Sequence, residues 1–171
     1  MAEIVNVYTE EYPALRFIGR SYRDSQRNKN GTFNDQWEQW FREDLFAPLR
    51  ALNPQDMAAI GLMSINNVPE FEYWIGMFVP KNSPVPRGYE YVDFKPSTVG
   101  VSWIKGKEGK ELYSMHLQCV NALAARDLEM SNGWFFERYD FNRFTQRDEN
   151  GEIILDYCIF VKPKDYRNNR R

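Results

Sequence analysis

Glu137 is the residue whose neighbours make it a candidate for chemistry. It stands in Trp134-Phe135-Phe136-Glu137-Arg138-Tyr139, a run otherwise made of large aromatics and one arginine. Strand alternation puts Phe135, Glu137 and Tyr139 on one face and Trp134, Phe136 and Arg138 on the other. A carboxylate on an aromatic face is costly to take out of water unless a cation or a hydrogen-bond donor meets it. Two readings follow: a structural ion pair with Arg138 or another arginine at a sheet edge, or a buried anion at the floor of an aromatic pocket. Tyr73, Trp74, Trp103, Trp134, Tyr139 and Tyr157 are the candidate walls of such a pocket, although aromatics in strands more often serve as core. Each ring that faces a cation would contribute about 0.5–2 kcal/mol.

Other reactive side chains carry weaker signals. His116, the one histidine, lies along a helical stripe with Leu112 and Cys119 and reads as a core-edge residue, with no Ser or Cys nucleophile paired to it. There is no zinc-ligand spacing and no glycine-rich phosphate loop, so neither a metal nor a cofactor is expected. Cys119 falls in an apolar helical pattern and Cys158 in a strand pattern, and both read as reduced core thiols. The basic tail, 166–171, with Arg167, Arg170 and Arg171, reads as a solvated end.

Of the 171 residues, 16% are aromatic and 27% charged, enough length and apolar content for a single domain with a sizeable core. A formal net charge of −2 argues against nucleic acid or an anionic membrane as partner, since phosphate binding wants a basic field. Neutral or cationic small molecules are the expected partners. Neither a basic segment followed by an apolar run nor a membrane-length apolar stretch is present, and a cytoplasmic location is expected.

The elements that must position these residues come in two similar sets. Pro13 in Tyr12-Pro13-Ala14-Leu15 is answered 83 residues later by Pro96, and Tyr73-Trp74-Ile75 is answered 84 residues later by Tyr157-Cys158-Ile159. A repeat this long is a whole supersecondary unit, and the seam between two such units is a natural ligand cleft. Glu3 to about Arg23 reads as one strand, or two broken at Pro13. Trp37, Trp40, Phe41 and Leu45 share one face of a helix that starts near Asn34 and ends or kinks at Pro48. Ala58 to Ile65 and Phe71 to Val79 read as strands around an Asn66-Asn67-Val68-Pro69 turn. After a Pro-rich connector, a strand from Tyr89 to Ile104 broken at Pro96 leads to a helix over about 111–130, stopped by Ser131-Asn132-Gly133. Strands over Trp134 to Thr145 and Ile153 to Val161 close the chain. The expected fold is α+β: two pseudo-symmetric strand-helix-strand-strand repeats, about 1–82 and 88–165, antiparallel strands with helices on one side and a cleft between the repeats.

This plan, together with Val85-Pro86-Arg87-Gly88-Tyr89-Glu90-Tyr91 and Ser131-Asn132-Gly133-Trp134-Phe135-Phe136-Glu137-Arg138-Tyr139-Asp140, resembles the GyrI-like family, the effector-binding domain of bacterial transcription activators. Within it the stand-alone, integron-associated effector-binding proteins are closest in layout. The resemblance covers nearly the whole chain and implies multidrug binding of lipophilic, often cationic, ligands between two fused repeats. It places the family's central acidic residue on Glu137 and a first-repeat aromatic on Tyr73 or Trp74. The chain departs from the family at Val99-Gly100-Val101-Ser102-Trp103 and at Phe160-Val161-Lys162-Pro163. Because the first repeat begins almost at Met1, no upstream helix-turn-helix is expected, and no direct nucleic-acid binding. The resemblance also implies two alternatives: a hydrolase of cyclopropanoid natural products, with Glu137 as general base on water, or a protein-interaction module of the gyrase-inhibitor type with an unknown partner.

Overall fold

The computed structural model describes residues 1–66 and 71–166. Asn67, Val68 and Pro69 of the expected turn, and Arg167, Arg170 and Arg171 of the tail, lie outside the described residues. The order is β1 (Glu3–Tyr12), β2 (Leu15–Arg23), α1 (Asn34–Arg42), α2 (Ala47–Arg50), β3 (Ala59–Ser64), β4 (Glu72–Pro80), β5 (Glu90–Phe94), β6 (Ser97–Gly106), α3 (His116–Ala124), β7 (Leu128–Tyr139), α4 (Phe141–Thr145) and β8 (Ile153–Pro163). The fold is α+β, and the strands form one antiparallel sheet of eight in the order β1-β6-β8-β7-β3-β4-β2-β5.

That order is symmetric about the central pair β7 and β3. Matching β1, β2 and β4 to β5, β6 and β8 at an offset of 82, and β3 to β7 at 76, carries the Phe17↔Phe78 pair onto Val99↔Phe160, Ile60↔Gly76 onto Phe136↔Cys158 and Tyr12↔Ser97 onto Phe94↔Leu15. The register-keeping offset differs from the 83 and 84 of the sequence matches, so Tyr157 corresponds to Ile75 and not to Tyr73.

Each edge strand is exchanged: β1 pairs with β6 of the second half, and β5 with β2 of the first. Pro13-Ala14 joins β1 to β2, and Lys95-Pro96 joins β5 to β6. Each connector links strands near opposite edges of the sheet, yet three Cα steps reach at most about 11 Å. The sheet must therefore curl until its edges nearly meet.

The curl separates two apolar layers. Inside it, strand residues Phe17, Phe78, Phe94, Phe136 and Phe160 pack with Trp74, and the Phe94 and Phe160 rings stack at 4.8 Å although they come from strands far apart in the sheet. On the outer face, Trp40, Leu49, Leu112, Cys119 and Leu123 of the helical segments cover Ile18, Ile75, Tyr157 and Ile159. Cys119 and Cys158 are buried and free.

Several local expectations are revised. Pro48 does not kink a longer helix; it occupies the first turn of α2, where its missing N–H costs nothing. The helix expected over 111–130 is α3 alone, which stops where Asp127 takes a left-handed φ of 60°. Ser131-Asn132-Gly133 is a bulge inside β7, where the pairing to β8 slips between Met130 and Phe135. Gly133 has φ 77°, and a Cβ there would meet Asn66 Oδ1 at 2.2 Å. The last residues of the strand expected to Thr145 form α4, begun by Asp140 accepting from the Arg143 N–H at 3.0 Å.

A buried ion network pins β1 inside the curl. Arg138, 4% exposed, donates to Asp156 at 2.9 Å and to both oxygens of Glu10 at 3.0 and 3.1 Å, while Arg143 donates to the fully buried Asp156 as well. Removing one partner strands the others without compensation in a low-dielectric layer. Asp156→Asn should therefore lower unfolding free energy by about 3–5 kcal/mol in chemical denaturation, whereas breaking the exposed Arg50–Asp44 pair with Arg50→Ala should change it by less than about 1 kcal/mol.

Candidate functional site

Glu137 lies at the middle of the central strand pair, on the helix-covered face. The cross-strand row through it reads Ser102, Tyr157, Glu137, Gly61 and Ile75. Glu137 is 8% exposed. The Tyr139 hydroxyl, two residues along the same strand face, donates to Oε2. No lysine or arginine forms an ion pair with it among the described residues.

Arg138 is directed away by the alternation of β7 and spends its charge on Asp156 and Glu10, so the structural ion-pair reading of Glu137 does not hold. Burial pushes the Glu137 carboxyl from an ordinary 4.5 up to about 7, a rise that the Tyr139 hydrogen bond only partly offsets.

Tyrosines surround the carboxylate. Burial first, and the Glu137 charge second, push the hydroxyls of Tyr73, Tyr113, Tyr139 and Tyr157 above their ordinary value. Trp37 of α1 closes the chamber from above: its indole N–H donates to Tyr73 Oη at 2.8 Å and its ring meets Tyr139 edge-on at 4.9 Å. Phe33 stacks on Tyr73 at 4.4 Å. On the α3 side His116 Nδ1 lies 2.8 Å from Tyr157 Oη and its ring is 4.7 Å from Phe135. Burial holds the His116 imidazole below its usual pKa, so it adds no positive charge near neutral pH.

Gly61 explains how so many rings fit. It stands beside Glu137 in the row, and a Cβ there would come within 2.8 Å of Tyr73 Oη and 3.4 Å of Trp37. Of the candidate walls, Tyr73, Tyr139 and Tyr157 gather at Glu137. Trp74, Trp103 and Trp134 do not: they belong to the inner layer, on the far side of the sheet from Glu137. Trp74 donates to Glu72 at 2.7 Å, Trp103 donates to Tyr8 at 3.3 Å and lies under Arg143, and Trp134 packs on Phe94. The parity of Tyr73 and Trp74 on β4 decides which of the pair faces the carboxylate.

Trp37, Tyr113 and His116 were missed as members of the site. Trp37 shares the apolar stripe of Trp40, which is ordinary core at 0% exposure; both indoles donate to a tyrosine hydroxyl at 2.8 Å, and only the half-burial of Trp37 separates the two. Tyr113 and His116 flank the end of a 3-10 turn, Leu112–Ser114, whose break from the helical pattern was the available signal.

No protein-family pattern matches the chain, and no curated protein does. Solved structures share its fold. A bacterial transcription regulation protein from Staphylococcus aureus MU50, described as putative, is 16% identical, with 92% of this chain and 98% of that one aligned at TM-score 0.61. SAV2435 bound to tetraphenylphosphonium is 14% identical over 92% of this chain and 94% of that one, TM-score 0.64. A Vibrio cholerae integron cassette protein is 12% identical over 94% and 99%, TM-score 0.53. EcmrR, seen in a DNA complex, matches at TM-score 0.58 and 9% identity over 94% of this chain, which spans 58% of EcmrR. These neighbours define an α+β fold shared with regulator-like and ligand-bound proteins. No helix of the described residues is long and apolar enough to cross a membrane.

The desolvated carboxylate loads the fold with a pH-dependent cost. Because the folded-state pKa lies above the unfolded one, stability is greatest while Glu137 is protonated and falls as pH rises from about 4.5 through about 7. Glu137→Gln should flatten that slope and leave the variant more stable than the parent at pH 8 by about 1–3 kcal/mol, measured by denaturation across pH. Gly61→Ala should instead destabilise at every pH, by about 1–3 kcal/mol, because Tyr73 and Trp37 must give way.

Proposed function

We propose that this chain is a receptor for lipophilic organic cations, held with their charge against Glu137 and their rings among Tyr73, Tyr139, Tyr157 and Trp37. The observation that carries the reading is a nearly fully buried carboxylate without a cationic partner among the described residues, enclosed by tyrosines. Such a site lacks one positive charge, and a flat or propeller-shaped cation supplies it without demanding directional hydrogen bonds. The tetraphenylphosphonium bound to SAV2435 is a ligand of that class. Its entry here requires Trp37 to leave Tyr73, because the chamber is filled by its own rings.

A second reading, hydrolysis of a cyclopropanoid natural product, is favoured by one feature: a carboxyl raised to about 7 suits a general base on water. Turnover separates the two, since a receptor returns its ligand unchanged.

Titrating tetraphenylphosphonium against intrinsic fluorescence should show quenching carried by Trp37, and affinity that rises with pH through about 7 as Glu137 ionises. Glu137→Gln should weaken the cation by about 1–3 kcal/mol, abolish the pH dependence, and leave neutral triphenylphosphine oxide within about twofold. Equal losses for both ligands would place the binding site elsewhere, and a chromatographically new product from a cyclopropanoid substrate, lost in the variant, would establish the hydrolase.

A further inference from the structure

His116 is half-buried on α3, with its Nδ1 2.8 Å from the hydroxyl oxygen of Tyr157 and its ring against Phe135. Tyr157 is buried, and a buried tyrosine hydroxyl needs a partner. The strand register offers it a stronger one than an imidazole. Glu137 stands directly opposite Tyr157 in the pairing of β7 with β8, where facing Cβ atoms are about 4.5–5.5 Å apart. A hydrogen bond to an ionised carboxylate is roughly twice as strong as one between neutral groups. Yet of the four tyrosines around Glu137 only Tyr139 donates to it. Tyr73 Oη accepts the Trp37 N–H, and the Tyr113 hydroxyl has no hydrogen-bond partner among the described residues. Tyr157 turns to His116.

A neutral imidazole has one N–H and one bare nitrogen, and the bond made at one ring nitrogen sets which is which. With its proton on Nε2, His116 accepts at Nδ1 and holds the Tyr157 proton away from Glu137. Burial favours the neutral imidazole and keeps the Tyr157 hydroxyl protonated. The other titratable groups that face this pair and Glu137 are Tyr139 on β7, Tyr73 on β4, Tyr113 on the 3-10 turn and Cys119 on α3 itself. Burial raises the pKa of each, so all are neutral near pH 7. Arg27 acts on Tyr73 and Glu108 on Tyr113, but neither acts on Glu137 or His116.

We propose that His116 is a positioning residue for the chamber: by accepting a hydrogen bond from Tyr157 it withholds a second donor from Glu137 and leaves the carboxylate charge for a ligand. A carboxylate that accepts several hydrogen bonds is stabilised in its ionised form and has less to gain from a cation. One with a single donor keeps that gain. The use of the charge in selecting cations rests on the receptor reading above; the hydrogen-bond assignment does not.

The test follows the Glu137 side-chain carboxyl carbon of the full chain by NMR across pH, without ligand, its signal assigned through Glu137→Gln. His116→Ala frees the Tyr157 hydroxyl to donate to Glu137, and the carboxyl pKa should fall from about 7 by about 1 or more. Adding Tyr157→Phe to His116→Ala removes that donor, and the parent value should return. His116→Asn places a side-chain oxygen where Nδ1 was, keeps the acceptor and should hold the parent value. For tetraphenylphosphonium at about pH 8.5, where Glu137 is ionised throughout, His116→Ala should bind about fivefold more weakly than the parent and His116→Asn within about twofold of it. The role is overturned if His116→Ala leaves the carboxyl pKa unchanged. It is equally overturned if the pKa falls as far with Tyr157→Phe present as without it, which would mark water filling the space of the lost imidazole. Because the titration needs no ligand, it decides the role of His116 even where tetraphenylphosphonium fails to bind the parent, a failure that would count against the receptor reading alone.

Discussion

Two connectors of two residues each, Pro13-Ala14 and Lys95-Pro96, dictate the shape of this molecule. Tyr12 is paired to Ser97 and Leu15 to Phe94, so the connectors cross side by side between the two edges of an eight-stranded sheet. Their reach, about 11 Å at most, leaves the sheet no open conformation. Everything inside the curl must then be packed by strand residues alone, which is why that layer is so rich in phenylalanine. The helices are confined to the outside, and any ligand chamber that uses them must lie on the outer face. Proline suits both crossings because neither residue donates to a ladder at the point where a strand changes partner.

Within that frame the chemistry rests on one step of strand alternation. Glu137 and Arg138 are neighbours of opposite charge that cannot neutralise each other, because β7 sends them to opposite faces. Arg138 finds Asp156 and Glu10 in the inner layer and becomes structural. Glu137 is left among tyrosine hydroxyls, which can donate a hydrogen bond but not a charge. The free energy that the desolvated carboxylate withholds from the fold would be available to the cation proposed to neutralise it, which ties the cost in stability to the selectivity proposed for the chamber.

Periodicity and turn residues made the strands, the breaks at Pro13 and Pro96 and the parity of Glu137 legible in the sequence. The pairing partners were not, because alternation along one strand says nothing about which strand lies beside it. That is why Trp74, Trp103 and Trp134 were grouped with Glu137: as rings in strands they are indistinguishable from Tyr73 and Tyr157 until the face of each strand is fixed by its neighbours. The helix expected over 111–130 failed for a different reason. Met130 continues the apolar spacing of Leu123 closely enough to disguise the left-handed turn at Asp127, and Gly133, a residue that ends helices, serves here to let Asn66 approach a bulge.

The two halves of the duplicated frame differ at its centre. Leu62 and Trp74 in the first half occupy the positions of Arg138 and Asp156 in the second, an apolar pair against an ion pair. Gly61 occupies the position of Glu137, so one half contributes the carboxylate and the other the space in which rings gather around it. A symmetric pair of carboxylates at those two central positions would sit directly opposite in neighbouring strands, where like charges repel in a desolvated layer. The asymmetry is therefore a condition of having a buried anion here at all: a single charge can be held by burial and one tyrosine, and two could not. The same logic extends to the inner layer, where Trp134 fills what Ala58 leaves open.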